Sequence, residues 1–159
     1  MAHVYTATVR WQRNGQLFTD NKYSRVHDIV FDGGAVVKGS PAPNVVPPPL
    51  SDVGAVDPEE AFVGALSSCH MLFFLAFAAK RGFRVDSYED AAVGEMTRNA
   101  NGKLFMSKVT LSPRVVYSGE NRPTAADVAA IHHRAHEECY IANSVRSEVV
   151  IAEIAPVHA

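Results

Sequence analysis

The chain has 159 residues and a mass of 17.2 kDa, enough for one ordinary domain to bury a core without metal or disulfide staples. With 47% hydrophobic and 20% charged residues it matches the globular average, which excludes a disordered or collagen-like chain. A net charge of −2 and a pI near 6.4, with no basic run, argue against nucleic acid or a membrane surface as partner.

Val4 to Trp11 alternates like a strand. No basic segment leads an apolar stretch there, so a secretory signal is not expected and the cytoplasm is. Arg13-Asn14-Gly15-Gln16 reads as a hairpin turn, because Asn-Gly accepts the positive φ angles of a type I′ turn. Leu17 to Thr19 would begin the return strand. Arg25 to Phe31 alternates again and stops at Asp32-Gly33-Gly34, so three short antiparallel strands are expected. Residues 35–56 hold Pro41, Pro43 and Pro47-Pro48-Pro49. Proline cannot serve a central ladder, so this segment is expected to be a stiff loop packed on the body.

The clearest element follows. Asp57 suits an N-cap, Pro58 the first helical position, and Glu59 and Glu60 the positive end of the dipole. The helix should end near Lys80 or Arg81, where Gly82 closes it. Residues 61–79 carry no charge, a length that reaches the threshold for spanning a bilayer. Gly64, Ser67, Ser68, Cys69 and His70 interrupt the apolar run, so a central buried helix is expected. Ser87 to Thr97 and Leu104 to Tyr117 read as strands joined by Asn99-Ala100-Asn101-Gly102, with Pro113 marking an edge or bulge. Thr124 and Asp127 form a capping-box pattern before a second helix, whose apolar stripe is Val128, Ile131, Ala135 and Cys139. Val145 to Ile154 would be the last strand. The expected fold class is α+β: one domain over 1–159, with antiparallel sheets, a long central buried helix and a second helix.

Cys69 and Cys139 carry the main chemical interest. In a reducing compartment a permanent disulfide is not expected, and buried free cysteines are the bland alternative. Desolvation in an apolar helix disfavours a thiolate, so a reactive Cys69 needs a cation from elsewhere. Arg25 and Arg13 are the candidates, and a carboxylate could fix the guanidinium in a bidentate pair. His132, His136 and Cys139 are spaced i, i+4, i+7 on one helical face, a pattern that could bind zinc, although exposed histidines with a buried cysteine suit it better. Ser67 or Ser68 with His70 lacks the strand–turn–helix context of a hydrolase elbow. There is no phosphate-cradling glycine loop.

Asp57-Pro58-Glu59-Glu60 followed by Cys69 in an apolar helix resembles the Asn-Pro-Glu-(Glu/Gln)…Ala-Ala-Cys segment of the OsmC/Ohr family, and especially a less characterised OsmC-like branch of it. Cys139-Tyr140-Ile141-Ala142-Asn143-Ser144-Val145 is similar to that family's second-cysteine motif, with Tyr140 where a proline is usual. The resemblance implies a thiol peroxidase. Cys69 would be the peroxidatic nucleophile, Arg25 would stabilise its thiolate (Arg13 is the second choice), and Glu59 would orient that arginine. A Cys69 sulfenic acid would condense with Cys139 to a disulfide, which a dithiol, possibly on a lipoylated protein, would reduce. The substrate would be an organic hydroperoxide, and no metal or organic cofactor would be needed. The competing expectations are a binding module for an apolar ligand with non-catalytic cysteines, and a metal-binding protein.

Helix geometry adds an assembly expectation. Ten residues separate Glu59 from Cys69, about 15 Å along a straight helix and roughly 80° around it, so the two cannot touch directly. A long arginine or a second chain would have to close the site. An intertwined homodimer with its helices packed together is expected.

Overall fold

A computed structural model describes residues 2–152 and 155–159. The chain divides into two compact units, Met1–Ala61 and Phe62–Ala159.

The first unit holds β1 (Ala7–Arg10), β2 (His27–Phe31) and β3 (Val36–Gly39), an antiparallel sheet in the order β1-β2-β3. The Asn14-Gly15 turn forms as expected. Both residues take positive φ, 49° and 77°, and the Gln16 N–H donates to the Arg13 carbonyl at 3.0 Å. No strand follows at Leu17–Thr19. Phe18 instead stacks on Tyr23 with ring centroids 4.6 Å apart, Trp11 packs edge-on to Tyr23 at 5.3 Å, and β2 takes the ladder beside β1. Ring clustering outweighs the short return strand. β3 falls in the segment expected to be wholly irregular; it ends before Pro41, so every ladder N–H it needs is present. The rest of that segment is irregular as expected. It is pinned by Ser40, whose N–H donates to Val56 O and whose Oγ accepts from the Asp52 N–H at 2.9 Å.

The long helix α1 (Pro58–Lys80) starts where its capping residues predict. The Glu60 N–H donates to Asp57 Oδ1 at 2.7 Å, while Glu60 Oε2 accepts from the Asp57 N–H at 3.3 Å. The helix stops at Gly82, whose φ of +75° lets the Phe83 N–H reach back to the Ala78 carbonyl at 3.1 Å.

Most of α1 belongs to the second unit. There follow β4 (Arg84–Asp90), β5 (Val93–Arg98), β6 (Leu104–Leu111), β7 (Pro113–Ser118), α2 (Ala125–Glu138), a 3-10 turn (Ala142–Ser144), β8 (Glu148–Ile151) and β9 (Val157–His158). The expected strand Ser87–Thr97 is divided between β4 and β5, and Leu104–Tyr117 between β6 and β7. The four pieces build two sheets, β4-β7-β9 and β5-β6-β8. The break before Pro113 suits a residue with no N–H, and Asp90 Oδ1 accepts from the Ser112 N–H there at 2.6 Å. The α+β class holds, but the sheets are not purely antiparallel. β8 runs parallel to β6 and β9 parallel to β7, because the chain crosses over through α2 before it returns to the sheets. Of the final strand expected over residues 145–154, only Glu148–Ile151 forms β8 among the described residues, while Glu153 and Ile154 lie outside them.

The expectation for α1 also needs correcting. Within the chain it buries one stripe, Leu66, His70, Phe74 and Ala78, while Leu72 is 61% exposed. Its other faces are half-buried or exposed. Two clusters form the core of this unit. Phe74 and Ala78 pack with Val115, Tyr117, Val128, Ile131 and Ala135, while Leu66 packs with Val109 and Leu111. Gly94 makes room for Val63 and Met106 at the edge of the second cluster, since a Cβ there would stand 2.6 Å from Val63 Cγ2 and 2.7 Å from Met106 Sδ.

Candidate functional site

The second unit brings Cys69 and Cys139 together. Both are free thiols, Cys69 half-buried on α1 and Cys139 buried at the end of α2. Cys139 is the C-cap residue, and its N–H donates to the His136 carbonyl at 3.3 Å. The Asn143 side-chain amide donates to the Glu137 and Cys139 carbonyls at 2.8 and 3.0 Å, which fixes the turn that carries the sulfur. Burial pushes the Cys139 thiol up to about 11, and its hydrogen bond with Cys69 adds to the rise. The Ala142 N–H, 3.4 Å from Cys139 Sγ, acts in the opposite direction. Cys139 is therefore a protonated thiol at neutral pH, in the neighbourhood of the other cysteine. That arrangement suits a reserve thiol better than a first nucleophile.

Arg25 and Glu59 belong to the first unit, and both line a cavity of about 570 Å³. The Arg25 guanidinium is held from its own loop. Nη1 donates to the Tyr23 carbonyl at 2.9 Å, Nη2 donates to Asn21 Oδ1 at 2.7 Å, and Cζ lies 4.4 Å above the Tyr23 ring. Asn21 itself has a φ of +60°. Among the described residues no ion pair joins Arg25 to Glu59, so the expected carboxylate clamp is replaced by an amide and a carbonyl. Sequence reasoning missed Asn21; its only sequence signal is that Asn tolerates left-handed backbone. Arg13, the second-choice cation, donates to the Gln16 carbonyl at 2.6 Å within its own turn and is not on the cavity wall.

A second feature was not anticipated. His70 Nε2 lies 2.9 Å from His132 Nδ1 with the two rings nearly coplanar, and Phe74 stacks on His132 at 4.2 Å. Burial pushes both imidazoles down to about 4; the charge of His136 adds to this at His70 and Asp90 opposes it, while His70 adds to it at His132. The pair is neutral at physiological pH. His132 is thus a core residue and His136 is half-buried, so the expectation of exposed histidines on this face is overturned, while Cys139 is buried as expected. The available signal was position. His70 stands four residues from both Leu66 and Phe74, and His132 stands four from Val128, so each falls on a buried stripe. With His132 hydrogen-bonded to His70 in the core, the zinc set His132/His136/Cys139 is not assembled. Among the described residues no group of three or more His, Cys, Asp or Glu side chains could hold a metal ion. Ser67 donates to Asp90 Oδ2 at 2.5 Å, and among the described residues neither Ser67 nor Ser68 hydrogen-bonds His70.

Comparison with known proteins agrees with the fold. The family model for OsmC-like proteins matches residues 51–153. The structure of an OsmC-like protein of unknown function from Vibrio cholerae is 52% identical, with a TM-score of 0.94 over 96% of this chain and 100% of the other. An organic hydroperoxide resistance protein, OsmC, from Legionella pneumophila is 14% identical, with a TM-score of 0.62 over 100% and 98% of the two chains. The organic hydroperoxide resistance protein OhrB of Bacillus subtilis is 16% identical, with a TM-score of 0.59 over 99% and 98%. The last two share the fold. No curated protein matches the sequence.

Proposed function

The chain belongs to the OsmC-like family, and we propose that it is a cysteine-based peroxidase that reduces organic hydroperoxides. The observation that carries this reading is that Cys139 lies close enough to Cys69 for the two thiols to influence each other, although they are 70 positions apart in sequence. The half-buried Cys69 is the attacking sulfur, and the buried, protonated Cys139 is the resolving one. In the first step the Cys69 thiolate attacks the terminal peroxide oxygen and the O–O bond breaks. The alkoxide leaves as the alcohol after taking a proton, and Cys69 becomes a sulfenic acid. Cys139 then attacks that sulfur, water is released, and a disulfide forms. A dithiol, such as a lipoyl group on a partner protein, restores both thiols by exchange and is itself oxidised to a disulfide.

Arg25 is the cation proposed to favour the Cys69 thiolate and the developing alkoxide. Its support is that Asn21 and Tyr23 orient its guanidinium while no carboxylate among the described residues neutralises it. Glu59 is proposed to position the peroxide end of the substrate. The functional unit is a homodimer in the cytoplasm. Thiol counting tests the reading directly: the fully reduced protein is exposed to one equivalent of cumene hydroperoxide, and both thiols are expected to disappear. An unchanged thiol titre after excess peroxide sinks it, and leaves the OsmC-like binding module as the function.

A further inference from the structure

We propose that the cavity of the first unit selects neutral aryl compounds with a hydroxyl or hydroperoxyl end. The wall is aromatic and held in place. Trp11 Nε1 donates to the Ser24 carbonyl at 2.7 Å, Phe18 stacks on Tyr23 at 4.6 Å, and Trp11 lies 5.8 Å from Phe18. All three rings line the same cavity of about 570 Å³, a volume typical of small-molecule sites. Flat aromatic surfaces favour a flat aromatic guest, which meets them face-on or edge-on at little entropic cost.

The polar groups on that wall define the other end of the guest. Arg25 offers donors and a charge with no carboxylate partner among the described residues, while Glu59 offers acceptors. A carboxylate guest would be attracted by Arg25 but repelled by Glu59, and an ammonium guest the reverse. A neutral O–H group suits both, because it accepts from the guanidinium and donates to the carboxylate.

Trp11 is the only tryptophan in the chain, so its fluorescence reports on this wall. The full-length reduced protein is titrated with 2-phenyl-2-propanol, the alcohol that cumene hydroperoxide leaves, with tert-butanol and benzoate as controls. None of the three reacts with thiols, so this arm does not depend on peroxidase activity. A saturable change at least tenfold tighter for the aryl alcohol than for either control is expected. Phe18→Leu, which keeps an apolar side chain but removes a ring, should abolish most of that preference. Equal affinity for aryl alcohol and tert-butanol, tighter binding of benzoate, or an unaltered preference in Phe18→Leu overturns the assignment. Selective aryl binding in a protein whose thiols ignore peroxide supports the cavity assignment and rejects the peroxidase reading alone.

Discussion

His70 and His132 meet edge to edge inside the second unit, Nε2 to Nδ1 at 2.9 Å, from positions 62 residues apart. Both rings are held neutral, with values pushed from 6.5 down to about 4. The unfolded chain therefore binds more protons than the folded one between those limits, and stability falls as pH drops from about 6.5 toward 4. One ring shifted that far corresponds to roughly 3 kcal/mol. The urea midpoint should be constant above pH 7 and fall steeply below pH 6. Replacing both rings (His70→Leu with His132→Leu) should flatten that dependence. A midpoint unchanged between pH 7 and 4.5 in the native protein would contradict a neutral buried pair.

The cysteine contact makes a separate prediction. In Cys139→Ser the oxidised intermediate has no partner thiol, so one equivalent of hydroperoxide should leave a sulfenic acid on Cys69 that dimedone traps. Cys69→Ser should consume no peroxide, because a buried thiol raised to about 11 is almost wholly protonated at neutral pH. Rapid peroxide consumption by Cys69→Ser would reverse the two assignments. Mass spectrometry of the trapped adducts distinguishes these cases.

A third prediction concerns the anchoring of Arg25. Arg25→Met keeps some of the stem packing but removes the charge, so reactivity toward peroxide and iodoacetamide at neutral pH should fall together by about tenfold or more. Asn21→Ala leaves the charge and removes the Oδ1 acceptor at 2.7 Å, so a smaller loss of a few-fold is expected. Arg13→Met should be neutral, since its guanidinium, among the described residues, bonds within its own turn. Loss of reactivity in Arg13→Met alone would transfer the cationic role to Arg13.

Elements with local signals were legible in the sequence. The reciprocal Asp57–Glu60 cap, the Gly82 stop and the Thr124–Asp127 capping box form where their residue types predict. Both cysteines could be singled out from context. What the sequence concealed depends on contacts between distant positions. The strand breaks at Ala91-Ala92 and Ser112 divide continuous β-like runs between two sheets, a choice made by packing and by Asp90 capping Ser112 rather than by propensity. The parallel pairing of β8 with β6 depends on a crossover that no local pattern encodes. The partner of Arg25 was misjudged for a related reason. A guanidinium accepts any oxygen at the right angle, and the neighbouring Asn21 and Tyr23 supply two without a long-range carboxylate.

The last prediction concerns assembly. Helix α1 contains an unbroken run of 19 uncharged residues, 61–79, yet only Leu66, His70, Phe74 and Ala78 are buried within the chain, and Leu72 stands 61% exposed. Fully covering a leucine contributes roughly 1.5–3 kcal/mol, and the half-buried Met71, Phe73, Leu75 and Phe77 add further apolar area, which favours removing the face from water. A second copy of the chain offers the same apolar face, and two-fold pairing would cover both at once. Light scattering at micromolar protein should give a mass near 34 kDa, twice the 17.2 kDa chain. Leu72→Glu places a charge on the exposed face without touching the buried stripe. It should shift the equilibrium toward monomer at least tenfold while the far-UV circular dichroism stays native. If the native protein is a well-folded monomer with full peroxidase activity, the dimer is not the functional unit, and the apolar face of α1 has no role in assembly.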